Sequence, residues 1–390
     1  MSDAAARQRI RLGMVGGGRD AFIGAVHRIA ARLDDRYELV AGALSADAVR
    51  ARQSGAELGL APERTYDSFA GMAAAEAKRP NGIEAVAIVT PNHLHYPIAK
   101  AFLAAGIHVI CDKPLTTTLA DALDLAAAVQ RSGLVFGLTH NYTGYPMVRQ
   151  AREMVAAGEL GAIRVVQVEY AQDWLATPLE DTGQKQAAWR TDPAQAGPAG
   201  CLGDIGTHAY QLAGFVTGLS CEQVAADLTT FVGGRRVDDN VQVLLRFAGG
   251  ARGSLWASQV APGNENNLRL RLFGEKAGLD WRQEDPNYLC FTPLGEAPRL
   301  IRRGGAGAGA AAAHATRIPA GHPEGYLEGF AQLYVDLAEQ ITAHRERRDA
   351  DPASLLVPGI ADGVDGMRFI AAALESARRD AAWVAPSAMR

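Results

Sequence analysis

At 390 residues the chain exceeds what one small hydrophobic core fills, so two domains are expected. Apolar residues at 48% and charged residues at 21% give a globular profile, and a net charge of −4 lacks the broad basic footprint that nucleic acid or an anionic membrane would need. Four scattered cysteines (Cys111, Cys201, Cys221, Cys290) have neither CxxC pairing nor zinc spacing, so reduced thiols in a cytoplasmic protein are expected.

Met1 to Arg9 has no apolar core of a secretory signal, and no apolar run is long enough to span a bilayer. Ile10 to Val15 reads as a strand, followed at once by Gly16-Gly17-Gly18. Ala21, Phe22 and Ile23 then open a helix running to about Leu33. The spacing Gly16-x-Gly18-x-x-Ala21 fits a dinucleotide fingerprint with alanine in its third position, although a glycine triplet also suits a plain loop. Small residues there let the backbone approach a pyrophosphate, and the helix amino terminus offers amide donors.

Tyr37 to Ala43 is the second strand, and its end carries Leu44-Ser45-Ala46 in place of the acid that bonds the ribose of NAD. Ser45 with Arg50 on the next helix suits a 2′-phosphate, which tilts the expectation from NAD towards NADP. The other reading of Arg50 is a solvated helix residue. A third strand, Ala85 to Val89, runs into Thr90-Pro91-Asn92-His93-Leu94-His95, a loop suited to touching the cofactor. His93 and His95 lack a nearby cluster of acids or cysteines, so packing at a helix start is preferred over a metal.

Ile107 to Cys111 is a buried strand delivering Asp112, Lys113 and Pro114 to its carboxyl edge, where open α/β sheets hold ligands. Leu134 to Leu138 is the fifth strand, leading to Thr139-His140-Asn141-Tyr142. This alternation of strand and helix predicts a doubly wound parallel sheet. Beyond the helix 147–157 the pattern changes. Ile163 to Tyr170 alternates as a strand, and Gln172-Asp173-Trp174 follow it. A loop without periodicity, including Trp189-Arg190, runs to Gly200. Cys201 to Val216 is helical and places Asp204 and His208 four residues apart on one face. Roughly 224–292 reads as an antiparallel meander of six strands. Gly304 to Ala313 reads as a loosely packed Gly/Ala loop, and helices follow from Tyr326 to about His344 and from about Asp362 to Ala377.

Lys113, Asp204 and His208 are the groups able to carry alcohol/ketone chemistry together. Histidine can take a hydroxyl proton, a carboxylate one turn away can orient it, and lysine can stabilise a developing alkoxide. Singly, each also fits a bland role: a solvated cation at a strand end, and a helix-face hydrogen bond.

The combination resembles the glucose–fructose oxidoreductase/inositol dehydrogenase (Gfo/Idh/MocA) family. The segments carrying the resemblance are Gly13-Met14-Val15-Gly16-Gly17-Gly18, Thr90-Pro91-Asn92-His93-Leu94-His95, Cys111-Asp112-Lys113-Pro114-Leu115, Trp189-Arg190 and Gly203-Asp204-Ile205-Gly206-Thr207-His208. The resemblance implies an α/β Rossmann domain over residues 1–140. An α+β domain over 141–390 would follow, with a large open, mostly antiparallel sheet that forms subunit interfaces in a dimer or tetramer. It implies that Lys113 is the catalytic lysine, with Pro114 after a cis peptide, and that Asp204 and His208 are the catalytic pair. Thr90, Pro91, Asn92, His95, Asp112 and Asn141 then fall towards the cofactor, with Trp189 and Arg190 near it. Asp112 stands where the family usually has Glu, and Gln211 where an acid often follows the histidine.

Gln172-Asp173-Trp174 is similar to the pyranose-oxidising branch, an indole stacking on a sugar while polar neighbours bond its hydroxyls; the alternative is an ordinary strand-end cluster. Tyr142 and His322, with Glu324 beside it, complete the candidate substrate contacts. The expected function is NAD(P)-dependent hydride transfer to or from a secondary alcohol of a sugar, glycoside or cyclitol, without a metal. The alternatives are a glycoside-cleaving enzyme working by transient oxidation, and a non-catalytic dinucleotide sensor.

Overall fold

A computed structural model describes residues 8–19 and 21–389 of the chain; residues 1–7 of the polar amino-terminal segment lie outside it. Five parallel strands form the first sheet: β1 (Ile10–Gly16), β2 (Tyr37–Ala43), β3 (Ala85–Val89), β4 (His108–Cys111) and β5 (Phe136–Leu138). Their order is β2-β1-β3-β4-β5. Between them run α1 (Phe22–Leu33), α2 (Ala48–Glu57), α3 (Phe69–Glu76), α4 (His95–Ala104) and α5 (Leu119–Ser132). β3 is Ala-Val-Ala-Ile-Val and wholly buried, the continuous apolar pattern of a strand covered on both faces. Strand order reverses between β1 and β3, where Gly16 pairs with Val89. A crevice opens at such a switch point, outside the carboxyl ends of the strands.

The second sheet has eight strands: β6 (Ile163–Ala171), β7 (Cys221–Thr229), β8 (Asn240–Phe247), β9 (Arg252–Ser258), β10 (Asn267–Gly274), β11 (Ala277–Arg282), β12 (Tyr288–Pro293) and β13 (Arg299–Arg302). The order is β13-β12-β11-β10-β6-β9-β8-β7, so the expected simple meander is corrected. β6 inserts between β10 and β9 and runs parallel to β9, while the other pairings are antiparallel. With Val166, Val168 and Tyr170 buried, β6 belongs at the centre of the sheet, where both of its backbone edges are paired. Val241, Val243 and Leu245 of β8 face inward, and Leu244, 56% exposed, faces out. Burying each such aliphatic side chain contributes about 1.5–3 kcal/mol.

The remaining helices are α6 (Pro146–Ala156), α7 (Lys185–Arg190), α8 (Pro193–Ala196), α9 (Thr207–Thr217), α10 (Ala310–His314), α11 (Tyr326–Glu346) and α12 (Ile360–Arg378). Two of these interrupt the aperiodic stretch before Gly200, and their amino termini are capped by Gln184 and Asp192. The expected Gly/Ala loop is only partly a loop: α10 docks on α6, with Gly309 N–H donating to Gln150 and Ala311 N–H to Glu153.

The layering crosses the chain order. α11 returns from the carboxyl-terminal part to the first sheet, and Phe330, Tyr334, Leu337 and Ile341 pack with α1 against Leu12, Met14, Ala87 and Ile110. A Cβ on Gly137 of β5 would stand 2.5 Å from a Leu337 methyl, so the fit of helix on sheet requires glycine there. No described helix is long and apolar enough to cross a membrane.

Candidate active site

The crevice between β1 and β3 is built for close backbone approach. Gly16 and Gly17 have φ of +81° and +69°, a region that costs glycine little. A Cβ on Gly18 would lie 2.6 Å from Leu44 O. Ala21 caps α1 without a side-chain hydrogen bond and no acid stands in the first turn, so the amides near Phe22 and Ile23 keep their donors for an anion. The tightest contact is Gly24, whose added Cβ would sit 2.3 Å from Gly17 Cα. Sequence spacing singled out Ala21, yet it is Gly24 that lets α1 reach the turn. We expect Gly24→Ala to cost about 1–3 kcal/mol in a denaturant melt and to weaken dinucleotide binding in a fluorescence titration.

The loops after β3, β4 and β5 face the same crevice edge. Thr90 Oγ1 and Asn141 Nδ2 are buried with no partner among the described residues, as expected of groups awaiting a polar ligand. Asp112 is already anchored: its Oδ1 accepts from Lys113 N–H at 2.9 Å and Thr139 Oγ1 at 3.0 Å. Asn92, beside Pro91, donates to Ala196 O at 2.9 Å and so ties this edge to α8. His95, expected towards the cofactor, braces the loops after β3 and β4. It is fully buried, with Nδ1 2.8 Å from Pro114 O and Nε2 3.0 Å from Thr90 O.

Lys113 projects from the end of β4, and its bond to Pro114 is cis. Its ammonium reaches across to the second domain, donating to Asp204 O at 2.6 Å and Asp204 Oδ1 at 2.9 Å. Asp204 lies in a π-helical turn, Leu202–Gly206, which precedes α9 and differs from the uniform α-helix expected there. Such turns loosen the regular carbonyl ladder, and here one carbonyl serves the lysine. Asp238 holds the turn in place by accepting from Gly200 N–H and Leu202 N–H, both at 2.7 Å. Gln259 Nε2 at 2.9 Å and Arg190 Nε at 3.3 Å occupy Asp204 Oδ2. Burial pushes the Asp204 carboxyl up, but Lys113, Arg190 and Gln259 outweigh it and hold the group ionised well below the usual range.

His208 sits one turn on, buried against the rings of Tyr142 at 4.9 Å, His140 at 5.2 Å and Tyr170 at 6.3 Å. Burial, then Lys113 and His140, lower its pKa well below the ordinary value, so it is neutral at physiological pH. On the outer side, Tyr142 and Tyr170 hydroxyls meet at 2.5 Å, Asn266 accepts from Tyr170 and Gln172, and Gln172 accepts from Trp174 Nε1. The Arg190 guanidinium lies 4.2 Å from the Trp189 ring centre and 5.9 Å from that of Trp174. The site therefore brings a cation, an anion, a neutral imidazole and an aromatic wall to the mouth of the dinucleotide crevice.

Residues 10–140 match the model of the oxidoreductase family with an NAD-binding Rossmann fold, and residues 148–280 the GFO/IDH/MocA C-terminal domain. The crystal structure of an oxidoreductase from Sinorhizobium meliloti is 58% identical, covers 97% of this chain and 99% of its own, and superposes with a TM-score of 0.89. The chain belongs to the Gfo/Idh/MocA oxidoreductase family. An inositol dehydrogenase homolog from Azotobacter vinelandii, complexed with NADH and myo-inositol, is 37% identical with a TM-score of 0.90, over 97% of this chain and 98% of its own. A levoglucosan dehydrogenase of Pseudarthrobacter phenanthrenivorans is 30% identical over 72% of this chain and 76% of its length. The protein is thus an NAD-dependent oxidoreductase of the Gfo/Idh/MocA family.

Several expected contacts of this Gfo/Idh/MocA chain lie elsewhere. Glu324 is buried in an ion pair with Arg303 at 2.8 Å and accepts from the amides of Arg317 and Ile318, so it braces a turn. His322 is exposed on that turn, with its carbonyl accepting from Arg303. Gln211 lines a cavity with Tyr210 and Asp365. Asp173 Oδ2 accepts from Gly263 N–H at 3.1 Å and so closes its own loop. Among the described residues no group of three or more His, Cys, Asp or Glu could hold a metal, and all four cysteines are free. One residue beside the catalytic candidates has no signal in the sequence: His140, whose ring lies against His208.

Proposed function

We propose that the protein oxidises a secondary alcohol of a cyclitol or pyranose, or reduces the matching ketone. The observation that carries this reading is the Lys113–Asp204 ion pair, made across the domain seam with His208 one turn further on. When bound, nicotinamide supplies the acceptor for the carbinol hydride. The glycine turn and α1 fit the pyrophosphate, and Thr90, Asp112 and Asn141 fit the nicotinamide half. Neutral His208, with Nε2 bonded to nothing among the described residues, takes the hydroxyl proton. Lys113 donates to the same oxygen and stabilises its developing charge, while Asp204, itself held by Arg190, fixes the ammonium in place. Gln172 offers its amide to substrate hydroxyls and Trp174 its indole face to a ring. The inositol and levoglucosan relatives support a polyol ring as the substrate class.

The preferred cofactor in this reading is NAD. Between Ser45 and exposed Arg50 stands Asp47, which caps α2 by accepting from Arg50 N–H at 2.7 Å and donates its own amide N–H to Ser45 Oγ at 3.1 Å. A carboxylate there repels a 2′-phosphate and can accept from ribose hydroxyls instead. Outward-facing Val165, Leu244 and Phe273 on the second sheet support assembly of copies into a homo-oligomer.

The test is the purified protein with NAD or NADP on a panel of inositols, pyranoses and anhydro sugars. NADH absorbance should rise with one ring polyol, and NADP should be about tenfold or more poorer, a difference of 1.4 kcal/mol. Cleavage of a glycoside with no net NADH would instead establish the transient-oxidation chemistry.

A further inference from the structure

His140 lies two residues past the end of β5 and is 2% exposed, and His208 is 6% exposed on the first turn of α9. Their Nδ1 atoms approach to 3.4 Å with the ring planes at 88°. Burial first, with the Lys113 ammonium next, disfavours the imidazolium form of both rings. A neutral imidazole carries one N–H and one bare nitrogen. At an Nδ1–Nδ1 contact two hydrogens clash and two lone pairs repel, so one ring must donate and the other accept. Either His208 donates, leaving its Nε2 bare, or His140 donates, placing the hydrogen of His208 on Nε2. In the second arrangement His208 offers no lone pair to a hydroxyl.

We infer that His140 is a positioning residue that accepts the Nδ1–H of His208 and so keeps His208 Nε2 bare as the base. The inference rests on the reading of His208 as the base. When His208 takes the hydroxyl proton on Nε2, its Nδ1–H stays on His140, and the new positive charge is shared with that acceptor. This is the part a carboxylate plays behind a catalytic histidine, performed by a neutral ring. A neutral acceptor suits the site because Lys113 already holds Asp204, and a second buried carboxylate would need its own cation. Asp112, whose charge raises the proton affinity of His140, offsets part of the charge that arrives.

The direct test is long-range 15N–1H correlation on the full-length protein with 15N-labelled histidine, His208 being assigned by its loss in His208→Asn. A hydrogen on Nδ1 of His208 is the expected result, and a hydrogen on Nε2 overturns the inference. In kinetics, His140→Phe should keep a ring against His208 and lose the acceptor. We expect kcat to fall about 10–100-fold with KM and NAD affinity unchanged, and His140→Gln, whose amide oxygen can accept, to recover most of it. A kcat within about twofold of wild type in His140→Phe overturns the inference. If His208→Asn keeps full turnover, it is the base assignment that fails. If His208→Asn is inactive and His140→Phe is normal, only the role of His140 fails.

Discussion

Replacing Lys113 by methionine is expected to lower kcat by about 10²–10⁴-fold, the range of a lost proton-transfer or charge-stabilising group. NAD affinity and the melting temperature should change little, because methionine keeps the stem and the partner is not stranded. Asp204 retains Gln259 at 2.9 Å and Arg190 at 3.3 Å, so its carboxylate stays paired. The variant also moves His208. After burial, Lys113 is the largest cause of its lowered pKa, so removing the ammonium raises that pKa. A base must be deprotonated to act, so the residual activity should be lost at a higher pH on acidification than in wild type. Steady-state kinetics across pH, with a parallel NAD titration, reads both effects. Near-normal kcat on the true substrate would remove Lys113 from the mechanism.

Lys113, Asp204 and His208 were legible because each announces itself locally. A buried apolar strand ending in Asp112-Lys113-Pro114 must deliver its charges to the sheet edge. Residues four apart on a helix share a face, the spacing that pairs Asp204 with His208 in the sequence. The glycine turn was legible for the same reason, although Gly24, six residues past Gly18, has its purpose only in the packed helix. What stayed hidden depends on pairing across long separations. Nothing within β6 says that its neighbours are β10 and β9, with β9 parallel. His140 reads as a residue after a strand until α9 brings His208 to it. Glu324 looked like a turn carboxylate near a substrate, because only the fold supplies Arg303 to bury it. Ser45 and Arg50 suit a 2′-phosphate only as long as Asp47 is left aside, and its capping role sets its carboxylate between them.

The largest expected loss of stability comes from a pair that no local pattern reveals. Arg149 of α6 and Asp336 of α11 have 0% side-chain exposure and meet at 2.5 Å. Asp336 also accepts from Gln332 and His314 at 2.8 Å, and Arg149 Nε donates to Thr143 O at 3.0 Å. Thr143 belongs to the turn that carries Asn141 and Tyr142, so one ion pair pins α11, α6 and a wall of the site together. Asp336→Leu would leave the guanidinium buried without its counter-charge, and burial already lowers the pKa of Arg149 against the pull of Asp336. Breaking such a pair costs about 3–5 kcal/mol, measurable as a drop in unfolding free energy. Removing both charges removes the stranded group as well. Arg149→Met with Asp336→Leu should therefore recover most of that stability, as buried pairs often exchange for apolar residues at small cost. The double variant still lacks the anchor on Thr143, so its kcat should stay below wild type after the fold has recovered. If Asp336→Leu alone costs less than about 1 kcal/mol, the scale of an exposed pair, the turn bearing Asn141 and Tyr142 is held by its own local bonds, chiefly Thr143 to His140 O.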